Sequence, residues 1–154
     1  MNLQDSRTTK AVWHLAVVCT LGLLAPVLAA QPAGTDVQVK DAWVRWLPAD
    51  TPGAGYMTLV NTGSTEHVLV AVDSPDYADV GMHLTQDDHG IARMTPVTSI
   101  DLKPHDTVRF AEGGYHLMLM RPHRAIHPGD KVLIKFHFDS GPVVSVPFEV
   151  RAGS

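Results

Sequence analysis

The chain has 154 residues, 45% of them hydrophobic, with 12 basic and 16 acidic side chains and a net charge of −4. That is enough chain for one domain, and the acidic balance repels phosphate backbones, which argues against nucleic acid as a partner. One cysteine, Cys19, excludes a disulfide framework and a multi-thiolate zinc site.

Residues 1–30 read as a secretory signal peptide. Arg7 and Lys10 supply a positive start, Ala11 to Leu28 is almost wholly apolar, and Val27-Leu28-Ala29-Ala30 offers small residues for cleavage. An apolar run of about 18 residues lies at the lower edge of what spans a bilayer. Pro26 and the small residues after it favour cleavage, so no stable membrane insertion is expected. Cys19 sits inside the apolar run behind Val17 and Val18, without the small residues that precede a lipidated cysteine. Residues 31–154 should then carry no thiol. They keep 10 basic and 15 acidic residues, a charge of −5, because Asp5, Arg7 and Lys10 leave with the leader. Eight of the nine histidines remain.

From Val37 onward short β runs alternate with turn residues. Val37 to Trp46 is the first, followed by a Pro- and Gly-containing loop at Leu47 to Gly53. Gly55 to Val60 stops at Asn61-Thr62-Gly63, and His67 to Val72 stops at Asp73-Ser74-Pro75. Val80 to Thr85 and Ile91 to Val97 flank Asp87-Asp88-His89-Gly90. Thr107 to Phe110, Tyr115 to Met120, Lys131 to Phe138 and Val143 to Val150 complete the set. About nine short strands without a helical period predict an all-β fold, a single antiparallel β-sandwich with Greek-key connections.

Two histidines and two methionines are spaced so that such a fold can join them. If Asp87 to Gly90 forms a four-residue hairpin loop, His83 and Met94 face each other, with Cβ atoms about 4.5–5.5 Å apart. A three-residue loop would shift that register by one. His116 and Met118 are two apart on a strand and point the same way. Thioether sulfur is soft and neutral, and soft ligands with imidazole suit copper(I). Zinc sites use thiolate, imidazole or carboxylate, and a blue-copper centre needs a cysteine. Four neutral ligands leave only the charge of copper(I) itself, which suits carrying the ion more than redox cycling. On residue pattern alone, metal binding and ordinary packing are equally open.

The remaining candidates take ordinary roles. Met57 and Met120 read as core, with Met120 a spare ligand because it shares the face of Met118. Met82 points to the opposite face from His83. His67, His105, His123, His127 and His137 have no partner at useful spacing, and His89 sits at a hairpin tip.

The string His83-(ten residues)-Met94-(21 residues)-His116-Leu117-Met118 resembles the ligand pattern of the PCuAC family of bacterial periplasmic copper chaperones. Ala54-Gly55-Tyr56-Met57 before Asn61-Thr62-Gly63, Arg93-Met94 before Pro96-Val97, and Gly114 to Met120 are similar too. The resemblance runs from about Val39 to Val150. It implies a cupredoxin-like β-sandwich holding one copper(I) on His83, Met94, His116 and Met118. It also implies delivery to the dinuclear copper centre of cytochrome c oxidase, in company with Sco-type thiol proteins. Some members carry a His- and Met-rich tail for copper(II). This chain ends Val150-Arg-Ala-Gly-Ser154, so the resemblance lends no support to a copper(II) role.

Two other functions stay open on the sequence: copper storage or tolerance without an oxidase partner, and a metal-free interaction sandwich. An enzyme is not expected. No histidine would lead the chain after cleavage, and no cysteine serves electron transfer.

Overall fold

The structure is a computed structural model that describes residues 36–48 and 51–153. The signal-peptide reading and Cys19 lie outside the described residues. Ten strands follow in order: β1 (Val37–Trp46), β2 (Gly53–Asn61), β3 (His67–Asp73), β4 (Tyr77–Asp88), β5 (Ile91–Pro96), β6 (Ile100–Leu102), β7 (Thr107–Phe110), β8 (Tyr115–Pro122), β9 (Lys131–Phe138) and β10 (Val144–Ala152). The all-β expectation holds, with one short strand, β6, beyond those predicted. Among the described residues no helix is long and apolar enough to cross a membrane.

The strands hydrogen-bond in the order β5-β4-β8-β7-β2-β1-β10-β9-β3-β6, with β8 also reaching β2. All pairings among the described residues are antiparallel except two. The first and last strands run parallel, with Trp43 opposite Glu149, and β7 meets β8 in parallel at Phe110 and Tyr115. Period-two alternation builds the core. Val144, Val146, Phe148 and Val150 of β10 are buried, and the residues between them are exposed. One cluster takes Val44, Leu59, Leu117 and Leu119 from one half of the sheet and Leu69, Leu102, Ile134 and Phe136 from the other. The sheet therefore folds onto itself as a sandwich around a single core, and burial of these side chains drives folding.

Asn61 is a polar anchor inside that core. It is fully buried, and its Nδ2 donates to the carbonyls of Thr65, Leu102 and Lys103 at 2.7, 3.1 and 3.1 Å. Its Oδ1 accepts from the Gly63 amide at 3.0 Å. The stretch that reads as a plain turn thus ties the end of β2 to β6. Gly55 has a packing role on β2: a Cβ there would lie 3.0 Å from that of Leu117. The close approach lets β2 pair with β8 beside the candidate site.

Candidate metal centre

The site lies on the face of β8 turned away from the core. Leu117 and Leu119 enter the core, so the side chains of His116, Met118 and Met120 leave from the other face. On β4, Met82 is buried in the core and His83 takes the outer face. The β4–β8 register sets His83 directly opposite His116 and Gly81 opposite Met118. The two imidazoles stack with centroids 5.9 Å apart and planes 27° apart.

The β4–β5 register differs from expectation. Asp88 pairs with Ile91, so the turn is the two-residue His89-Gly90 rather than a four-residue loop. Both turn residues have positive φ, 56° and 85°, and the Gly90 amide donates to Asp87 Oδ1 at 2.7 Å. A two-residue hairpin turn with two left-handed residues suits the twist of the strands. Met94 therefore faces Thr85, and His83 faces Pro96. The slip is two residues, so Met94 keeps the face of His83 and lies diagonal to it.

Met94, His116 and Met118 line one groove of about 310 Å³, together with Arg45, Ala54, Tyr56, Thr85, Glu112 and their neighbours. His83 is not among its lining residues and adjoins it through the His116 ring. Met94 is half exposed on the edge strand, whereas His116 is buried. His116 Nδ1 lies 3.1 Å from the Gly114 carbonyl oxygen. That oxygen can only accept, so the proton belongs on Nδ1 and the Nε2 lone pair is left free. His83 Nδ1 is buried with no hydrogen-bond partner. An orphaned buried nitrogen is costly, on the order of 1–3 kcal/mol, and a metal ion would satisfy it. Burial holds the Tyr56 hydroxyl above its ordinary pKa of 10.0 against the pull of the Arg45 charge, so that group stays neutral. Two imidazoles and two thioethers make a neutral, soft donor set, which fits copper(I) better than a hard dication. Among the described residues no three His, Cys, Asp or Glu side chains converge as a metal site.

The other candidates stand elsewhere. Met57 and Met82 are core residues. Met120 lines a separate, largely apolar groove of about 480 Å³ with Trp46, Leu47, Tyr77 and Ile126, which no histidine lines. His89 is exposed at the hairpin tip beside Asp88, and His137 pairs with Asp73. His123 meets the Pro75 carbonyl. His67 packs edge-on to Phe138, with both ring nitrogens buried and without partners. The Arg45–Glu112 pair at the groove is a feature the sequence reading missed. The two are 67 positions apart, and no local pattern links them.

Several known proteins are similar. The solved copper-bound PCuAC domain from PmoF2 superposes with a TM-score of 0.66 at 23% identity, over 80% of this chain and 99% of that one. Copper(I)-bound DR1885 from Deinococcus radiodurans does so with a TM-score of 0.56 at 25% identity, over 80% of this chain and 81% of that one. In sequence, the chain is 27% identical to the "Putative lipoprotein Lxx21020" of Leifsonia xyli subsp. xyli, over 88% of this chain and 83% of that one. It is 32% identical to protein RP573 of Rickettsia prowazekii over 87 residues, 56% of this chain. That match spans about half of the Rickettsia protein, 48% of its length. The family model described as "Putative lipoprotein LpqE-like" matches residues 37–150. The chain belongs to the LpqE-like family, and its fold is that of the PCuAC domains.

Proposed function

We propose that this protein is an exported copper(I) carrier that holds the ion on His83, Met94, His116 and Met118 and passes it to a copper-requiring acceptor. The observation that carries this reading is the gathering of Met94, His116 and Met118 along one groove, with His83 stacked on His116. The copper(I)-bound state of DR1885, at 25% identity, supports the choice of ion. The lipoprotein descriptions of the family and of the Leifsonia relative support export, as does the apolar segment at 11–28. The acceptor proposed is the dinuclear copper centre of cytochrome c oxidase, with Sco-type thiol proteins as co-workers, in the periplasm. The four proposed ligands are neutral, soft donors, which suits a carrier of copper(I) more than an enzyme.

The geometry suggests how cargo is held and released. The core strands fix His83 and His116 face to face. The Gly114 carbonyl orients the His116 ring, as outer partners orient ligating histidines generally. Met94 stands on an edge strand and is open to solvent. An incoming soft donor would displace that thioether first, so the ion would change hands by stepwise ligand exchange and never become free.

The test is a titration with copper(I) under reducing conditions against a competing chelator. One tight site is expected. Met94→Ala with Met118→Ala should weaken copper(I) binding much more than zinc binding, and unchanged copper(I) affinity would refute the ligand set. Delivery is tested separately by mixing the loaded protein with a purified oxidase copper-site subunit and following the metal. Copper staying on this chain would favour storage over delivery.

A further inference from the structure

The groove that takes Met94, His116 and Met118 also contains a hard donor. Glu112 is the one carboxylate among its lining residues. Two imidazoles and a carboxylate are a favourable set for zinc, and imidazole also suits copper(II). A site for copper(I) beside such a residue needs something to keep the carboxylate away.

Arg45 is placed to do that. Its Nη1 donates to Glu112 Oε1 at 2.6 Å. Its guanidinium carbon lies 5.7 Å from the centroid of the Tyr56 ring. Tyr56 packs on Trp43 at 4.9 Å, and the Arg151 guanidinium lies 5.4 Å from the Trp43 centroid. Arg151 in turn pairs with Glu149 at 2.8 Å. The register builds this ladder: Trp43 faces Tyr56 across β1 and β2, and Glu149 across β1 and β10. A stack crossing three strands thus ends on Glu112 at the groove. Arg45 Nε is buried without a partner, so Glu112 is the acceptor that holds this guanidinium among the described residues.

We infer that Arg45 is a metal-selectivity residue. By holding Glu112 on the stacked guanidinium, it withholds from His83 and His116 the oxygen that would complete a site for zinc or copper(II). This rests on the copper(I) reading above. The positive charge adds a second effect, since it repels a dication twice as strongly as copper(I) at the same distance. Glu112 is largely exposed, with 65% of its side chain accessible. An exposed ion pair shifts a population by about fivefold at most.

The test compares the wild type, Arg45→Gln, Glu112→Gln and the double variant. Zinc(II) and copper(I) are titrated separately against competing chelators, copper(I) under reducing conditions. Arg45→Gln should raise zinc(II) affinity by about tenfold, the ion-pair and charge effects combined. Its copper(I) affinity should rise by less than about threefold. Adding Glu112→Gln should remove most of the zinc gain. If Arg45→Gln does not fold, Arg45→Leu, which also removes the charge and the donor to Glu112, gives the same comparison. The inference is overturned if zinc affinity does not rise, or if the double variant keeps the whole gain. Weak copper(I) binding by the wild type would instead refute the carrier reading, whatever zinc does.

Discussion

Replacing Gly81 with alanine should separate metal binding from fold stability. Gly81 lies opposite Met118 on the outer face and two residues before His83. A Cβ at this position would lie 3.1 Å from His83 Cε1 and 3.5 Å from Nδ1. Ordinary contacts between carbon atoms are about 3.5–4.0 Å, so the imidazole must yield by several tenths of an ångström. A side chain turned about 30° from its preferred rotamer costs about 0.5–1.5 kcal/mol. That cost falls on the ligand pose and becomes a loss of about two- to tenfold in copper(I) affinity, since about 1.4 kcal/mol is a factor of ten. The backbone effect has the opposite sign, because glycine in a strand is destabilising by roughly 0.5–1 kcal/mol relative to alanine. Urea unfolding of the metal-free Gly81→Ala protein should therefore match the wild type to within about 1 kcal/mol. Copper(I) competition titration on the same sample should show the weakened site. Equal copper(I) affinity in a stably folded variant would mean that His83 does not ligate from this position.

Three further outcomes are expected. Met94→Ala, on an exposed edge strand, should change unfolding free energy by no more than about 0.5 kcal/mol, yet abolish much of the thermal stabilisation that a native-state ligand confers. A melting curve that shifts with copper(I) as fully as the wild type would remove Met94 from the site. Asn61→Ala should cost about 1–3 kcal/mol in urea unfolding, because it removes a fully buried amide that donates to the Thr65, Leu102 and Lys103 carbonyls. A loss below about 1 kcal/mol would show that water replaces the amide without penalty. Asp130 is held below its ordinary pKa of 3.8, first by the His127 backbone amide and then by Arg124. A depressed carboxyl stabilises the fold above its unfolded pKa and loses that contribution as pH falls through the folded value. Asp130→Asn should therefore melt below the wild type at pH 7, and the gap should close on acidification below pH 3.8. A gap that stays constant down to pH 2 would contradict this sign.

The strands were legible because period-two burial writes itself into residues such as Val144, Val146, Phe148 and Val150. The facing of His116 and Met118 followed from the same rule. The hairpin register was not legible. It depends on His89 accepting a left-handed conformation that glycine, asparagine or aspartate more often supplies. The error of two residues preserved the face and changed only the partner, so Met94 still lines the groove. The opposition of His83 and His116 could not be read at all, because pairing between distant strands leaves no local signature. The same holds for Arg45 with Glu112, and for the buried hydrogen bonds of Asn61. A pattern of ligand types shows what could bind, whereas long-range register decides what meets.

The most direct measurement is X-ray absorption at the copper edge on the copper(I)-loaded protein, repeated on the Met94→Ala/Met118→Ala variant. The account predicts a mixed shell of two nitrogen and two sulfur neighbours in the wild type, with the sulfur contribution gone from the variant. A shell of nitrogen and oxygen alone, or a sulfur contribution that survives both substitutions, would contradict it.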